Sequence, residues 1–167
     1  MTYPLTKPAI GLGVEVKDVV SGMTGISTSL FYKLSGSIMI GVQPPSDDGK
    51  MAEAWTIDEA ICQAVEGGRT IPAIDAGDPL VALGHQVEDR VTKFKGTVTA
   101  IMVHINGCIS CVVTAPKLNK DGGLIEEYFD QKRLVIKGPG VSKQAEPKKQ
   151  APVARTGGSN MRARGPA

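Results

Sequence analysis

Any chemistry in this chain has to come from three cysteines, two histidines and a pair of recurring aspartates. Cys108-Ile109-Ser110-Cys111 has the spacing of a thiol–disulfide pair or of half a zinc site. A redox pair needs one thiolate stabilised at a helix N-terminus. Here the four residues fall in a stretch that reads as β-strand, where side chains three apart point to opposite faces. A tetrahedral zinc site needs a second pair of ligands, and Cys62, His85 and His104 are scattered singly. The expectation is buried or half-buried thiols, with His104 mid-strand and facing solvent. No serine nucleophile elbow, phosphate loop or dinucleotide fingerprint occurs. Asp18 and Asp89 sit at equivalent places in the chain, as paired catalytic carboxylates could. Each follows an alternating strand and precedes a turn, however, where an aspartate caps backbone N–H groups. These residues predict a protein that is not an enzyme, without cofactor or metal.

The elements that must position these residues come from an internal duplication, the strongest pattern in the chain. Residues 12–45 align on 83–116 at a constant shift of 71 without a gap, with eleven identities in 34 positions. Leu12-Gly13 falls on Leu83-Gly84, Val16 on Val87, Asp18 on Asp89, Gly25 on Gly96, Thr28 on Thr99 and Gly36 on Gly107. After a small length change Asp48-Gly49 matches Asp121-Gly122, and Ile57-Asp58 matches Phe129-Asp130.

Each copy reads as a run of short strands. In the second, 85–91 alternates polar and apolar side chains, and 97–105 is β-branched and apolar. Asn106-Gly107 is a hairpin signal in which both residues tolerate positive φ. The chain returns over 108–115, and further strands are expected at 124–129 and 133–136. About five strands in roughly 55 residues suit a small SH3-like barrel. In the first copy Lys33-Leu34-Ser35-Gly36 replaces the Asn-Gly turn. Ala52, Trp55, Ile57, Ala60, Ile61 and Ala64 could line a short helix; the second copy favours a strand at 55–57 followed by a helical turn over 58–65. Gly25, Gly36, Gly96, Asn106 and Gly107, with Asp18 and Asp89, are read as turn formers.

The expected fold is therefore all-β: an extended arm (1–11), a first module (12–65), a linker (66–82), a second module (83–137) and a tail (138–167). Length and composition agree. The chain has 167 residues, 20 of them Gly and 11 Pro, and only 4% aromatic, so the cores must be built from Val, Ile, Leu and Ala. No run of 18 apolar residues is present to span a membrane, and the N-terminus lacks the basic-then-apolar pattern of a signal peptide. Three cysteines without such a signal read as reduced thiols of a cytoplasmic product.

The net charge of +2 conceals a split. Residues 138–167 carry Lys143, Lys148, Lys149, Arg155, Arg162 and Arg164 against Glu146 alone, leaving 13 basic and 16 acidic residues in 1–137. A Gly/Pro-rich segment of this kind buries too little apolar surface to fold by itself. Its six basic residues are the expected partner contacts, to an acidic protein surface or to phosphate. Arg90, Lys93 and Lys95 add to the case for nucleic acid; the acidic body and the scarcity of aromatics for base stacking weigh against it.

The stretch Leu83-Gly-His-Gln-Val-Glu-Asp-Arg-Val-Thr-Lys-Phe-Lys-Gly, then Asn106-Gly-Cys, Phe129-Asp130 and Leu134, resembles a module found in small virion-associated proteins of tailed bacteriophages. Its pattern runs Leu-Gly-x-x-Val-x-Asp-x-Val-Thr-Gly-Phe-x-Gly and ends in Phe-Asp-x-x-x-Leu. The chain departs from it at Lys93, where the pattern has Gly, and at Met23, where the first copy lacks the Phe. The resemblance implies a virion structural protein made in the host bacterial cytoplasm. A capsid decoration or cement protein, homo-oligomeric in the assembly and bound to the major capsid protein or other virion subunits, fits best. A head–tail connector, collar or tail component is the alternative, and a nucleic-acid-binding accessory protein a second.

Overall fold

A computed structural model of the chain describes residues 1–141, whose regular elements are ten β-strands and two single 3-10 turns. The first module holds β1 (Glu15–Asp18), β2 (Thr24–Lys33), β3 (Ile38–Gln43), β4 (Trp55–Asp58) and β5 (Cys62–Ala64). The second holds β6 (Gln86–Asp89), β7 (Lys95–His104), β8 (Ile109–Leu118), β9 (Leu124–Asp130) and β10 (Leu134–Gly138). All pairings are antiparallel, in the order β5-β1-β2-β3-β4 and its repeat β10-β6-β7-β8-β9. A 3-10 turn enters each last strand, at Glu59–Ile61 and Gln131–Arg133. Asp58 and Asp130 cap these turns, each accepting a hydrogen bond from the N–H two residues on, at 2.8 Å.

The all-β class and the repeated plan are as the sequence predicts; several details differ. The helical turn expected over 58–65 is one 3-10 turn, after which Cys62–Ala64 returns to strand to pair with β1. β8 starts after Cys108 and runs past Ala115, the expected end, through Pro116 to Leu118. The hairpin signal has a different geometry as well. Gly107 alone has positive φ (82°), and Asn106 instead accepts the Cys108 N–H on its side-chain oxygen at 3.1 Å. Lys33–Ser37 makes the same turn, with Gly36 at φ 94° and its N–H donating to the Lys33 carbonyl at 2.9 Å. What both copies need is one residue with positive φ at the fourth turn position, and glycine supplies it.

One strand pair joins the modules. β2 pairs β7, with Ser29 opposite His104, Phe31 opposite Met102 and Lys33 opposite Ala100. Every such pair maps onto another when 71 is added to one member and subtracted from the other. Phe31 and Met102 are equivalent positions facing one another, so a pseudo-two-fold axis passes between them. Two flanking bonds obey the same symmetry: Leu34 N–H to Thr99 carbonyl and Ile105 N–H to Thr28 carbonyl, both at 2.8 Å. Thr28 and Thr99 each sit at a register shift against the neighbouring strand (β3 and β8). At this point β2 and β7 leave β1 and β6 and turn to one another. The repeated threonine therefore marks the bulge that lets each module lend a ten-residue strand to its twin.

Beneath this junction lie two cores. Val16, Leu30, Ile40, Val42 and Ile57 fill the first, and Val87, Val98, Ile101, Cys111, Val113 and Phe129 the second. Leu5, Leu83 and Val103 pack against both. Ile10 and Val81 are also equivalent and buried, at 8% and 1% exposure, so residues read as arm and linker complete the cores. Gly13 and Gly84, at φ 78° and 88°, are crossed by the segments that follow each module: Ile71 N–H donates to Gly13 carbonyl and Val141 N–H to Gly84 carbonyl, at 2.7 and 2.9 Å. Gly25 and Gly96 are not in turns. They lie inside β2 and β7, where a Cβ would stand 2.6 and 2.3 Å from the carbonyl oxygens of Gln43 and Thr114.

This geometry separates backbone strain from steric exclusion. A Cβ on Gly84 would lie 2.2 Å from the Val141 carbonyl oxygen, whereas among the described residues one on Gly36 would meet nothing within 4 Å beyond its chain neighbours. Gly36→Ala should cost about 1 kcal/mol, the left-handed penalty alone. Gly84→Ala should cost at least about twice that, because the strand-like crossing must also give way. Chemical denaturation of the two variants checks the order.

Candidate partner interface

Asp18 and Asp89 end β1 and β6 and are both buried. Asp18 accepts from Val20 N–H and Ser21 hydroxyl at 2.8 Å, and these bonds hold its carboxyl below the usual range. Asp89 accepts from Thr92 N–H and hydroxyl at 2.8 and 2.6 Å. The turn-capping role expected of both is the one they have. Asp89 has a further partner, missed at the sequence level: Arg133 Nε and Nη2 donate to its two oxygens at 2.9 and 2.7 Å. The guanidinium, with Thr92, holds the Asp89 carboxyl far below the ordinary range. Arg133 also lies 5.4 Å from the centre of the Phe129 ring, which packs on Phe94. Because β5 and β10 share a register, Ile61 takes the place of Arg133 in the first module. With no copy there, the repeat could not flag Arg133.

The cysteines are free and apart. Cys108 is exposed at the hairpin, while Cys62 and Cys111 are buried in the two cores, their thiols pushed up to about 11 and about 12 chiefly by desolvation. His104 lies on the same strand face as Ala100 and Met102 and is only partly exposed. It is half-buried where β7 meets Ser29 of β2, and burial lowers its pKa. Among the described residues no three His, Cys, Asp or Glu side chains gather as a metal would require, and no helix is long and apolar enough to cross a membrane.

Two of the basic residues considered for nucleic acid surround an acid. Lys95 and Lys93 lie 3.4 and 3.7 Å from Glu88, with Lys137 at 4.0 Å. Burial works to raise the Glu88 pKa, and the lysines outweigh it, so it is lowered. Lys93 stands at φ 64° where its equivalent, Gly22, has φ 77°, a conformation that glycine adopts more readily than lysine. Lys143, Lys148, Lys149, Arg155, Arg162 and Arg164 lie outside the described residues.

The surfaces with room for a partner lie on the two sides of the junction. On the outer side β4, β3, β2, β7, β8 and β9 form a continuous face. Phe31 packs there on Ala100, Met102 and Val112, and a depression of about 730 Å³ is lined by Met39, Thr56, Leu124 and Tyr128 among others. Tyr128 and Leu124 are 66% and 64% exposed. On the inner side the arm crosses the seam. Tyr3 N–H donates to Pro79 carbonyl at 2.9 Å, and the Tyr3 ring meets His85 edge-on at 4.7 Å. Cavities of about 350 and 330 Å³ flank the arm, one against Leu12, Leu30 and Val103, the other against Leu83 and Ile101. They are twins under the pseudo-axis, and neither was legible as a site in the sequence.

Comparison of the chain with protein-family models, with curated proteins and with solved structures gives no match.

Two outcomes follow from the side-chain geometry. A carboxyl lowered in the folded state stabilises fully above its unfolded pKa of about 4 and loses that contribution as pH falls through the folded value. Asp89→Asn should therefore lower stability near neutrality and flatten the acid limb, as read by denaturation between about pH 2 and 7. Among the three thiols, Cys108 alone should react rapidly with an aromatic disulfide reagent in the native protein, Cys62 and Cys111 following only on unfolding.

Proposed function

We propose that the protein is a bacteriophage virion structural protein, a capsid decoration or cement subunit made in the bacterial cytoplasm and held on the head lattice. Its body is a pair of small SH3-like barrels. Supporting that finer reading, each module has the strand order β5-β1-β2-β3-β4 with a 3-10 turn entering the last strand. The major capsid protein or another virion subunit is the partner, and the body docks while its extensions reach neighbouring subunits.

The observation that supports this reading most directly is the β2–β7 pairing. It turns two modules into one body with a two-fold-like pair of surfaces, suited to bridging repeated subunits. A charged tail tethered to such a body acts at high effective concentration once the body is bound, so weak single contacts add to durable attachment. Asp18 and Asp89 cap turns, and Cys62 and Cys111 lie in the cores, which fits a binding role better than a catalytic one.

Particles stripped of the protein test the reading. The full chain should rebind and raise the temperature at which the particles rupture. A chain ending at Val141 should bind at least about tenfold more weakly, since linked contacts commonly contribute factors of that size or more. Equal occupancy of the two chains would contradict the role given to the tail. Copy number separates the neighbouring reading: hundreds per particle indicate decoration, and six or twelve a connector, collar or tail position.

A further inference from the structure

The pseudo-axis makes each half of the molecule a control for the other, and at one place the halves differ. In the second module the hairpin between β7 and β8 is covered. The segment leaving the first module crosses Gly13 at Ile71, and Ile74 N–H then donates to the Ile105 carbonyl at 2.9 Å. The Ile74 side chain lies over the hairpin glycine, its Cγ2 only 2.8 Å from where a Gly107 Cβ would stand.

The equivalent hairpin of the first module, Lys33–Ser37, is bare among the described residues. Val141 crosses Gly84 as Ile71 crosses Gly13. Across from it the arm's Tyr3, the counterpart of Ile74, turns away and bonds Pro79 instead. No described residue donates to the Leu34 carbonyl, the counterpart of Ile105, and apart from its chain neighbours no described residue comes within 4 Å of where a Gly36 Cβ would stand. Between arm and hairpin lies the 330 Å³ cavity, with Leu34, Ile38, Leu83 and Val141 on its walls and Lys33 among its lining residues.

We propose that this uncovered hairpin is a docking seat for an extended acidic-aliphatic segment of a neighbouring protein chain. The covering segment of the twin displays what fits. Ile71-Pro72-Ala73-Ile74-Asp75-Ala76-Gly77-Asp78 carries two acids, no base and an aliphatic residue placed over the glycine. The first-module hairpin has Lys33 where the second has His104, and Lys33 lines both this cavity and the outer depression, so the charge at the hairpin favours an acidic occupant still more. The residues that follow Val141 in sequence, Ser142-Lys143-Gln144-Ala145, include a cation and no large aliphatic side chain, a poorer match for an apolar, lysine-flanked seat. An incoming segment would donate one backbone N–H to Leu34, lay its aliphatic side chain on Gly36 and put a carboxylate near Lys33. The seat deepens the virion reading by naming the partner element, a strand-like acidic-aliphatic stretch of a capsid or neighbouring subunit, and its test needs no particle.

The probe is a synthetic peptide with the sequence of residues 70–78, titrated into the full-length protein while backbone amide resonances are followed. Saturable shifts should gather at Tyr3–Thr6 and Lys33–Ile38. Replacing the peptide's Ile74 equivalent by Ser should abolish them, and Lys33→Glu in the protein, with its melting temperature checked, should weaken binding severalfold. No shift at these residues up to millimolar peptide, or shifts at Met39 and Tyr128 on the outer face instead, would overturn the seat. So would binding seen only after the chain is cut at Val141, because the protein's own tail would then be the occupant. Stripped particles that ignore the protein would remove the virion reading and leave this titration unaffected.

Discussion

The antiparallel pairing of β2 with β7 is the constraint on which the rest of the molecule depends. Each strand is ten residues long and serves three neighbours: its own module's first strand, its own third strand and its twin. A strand that bonds on both edges over part of its length has to change partners somewhere, and the bulges at Thr28 and Thr99 make the change. Backbone hydrogen bonds each contribute only about 1 kcal/mol net, but the ladder also fixes which side chains share a face. Leu30, Tyr32, Ile101 and Val103 point to the two cores, while Phe31, Ala100 and Met102 point outward. One junction thus sets the inner seam, the outer depression and the relation between two hairpins.

From that relation comes the asymmetry that matters for function. The linker covers the hairpin of the second module, and among the described residues nothing covers its twin. Among the described residues no N–H donates to the Leu34 carbonyl, and the seat beside Lys33 is open. The arm enters and the described chain leaves beside this same cavity, which Tyr3 and Val141 both line.

Asp89 and Arg133 illustrate how a repeat drifts without losing its turn. Both copies keep the aspartate because the backbone N–H groups of the turn need an acceptor. The second adds a bidentate arginine, laid on Phe129, where the first has Ile61. The modules therefore share a path while differing in acid sensitivity.

Much of the fold was legible because β-structure leaves period-two and turn signals, and the duplication let each copy vouch for the other. The strands around Val87, Ile101 and Val113 follow from alternation and β-branching. What sequence could not disclose was long-range register. That β2 and β7 meet, with Phe31 opposite Met102, depends on two edges fitting in space, and no local pattern encodes it. Gly25 and Gly96 looked like turn residues because glycine in a strand has no local signature; only the neighbouring carbonyl explains them. The interface was less legible still. Leu34 and Tyr3 have unremarkable side chains, and their interest lies in backbone groups and empty space. The most direct measurement of the central claim is a set of amide residual dipolar couplings from both modules in weakly aligned solution. A junction built on the β2–β7 ladder predicts that one alignment tensor fits all couplings; two independent tensors, one for each module, would contradict it.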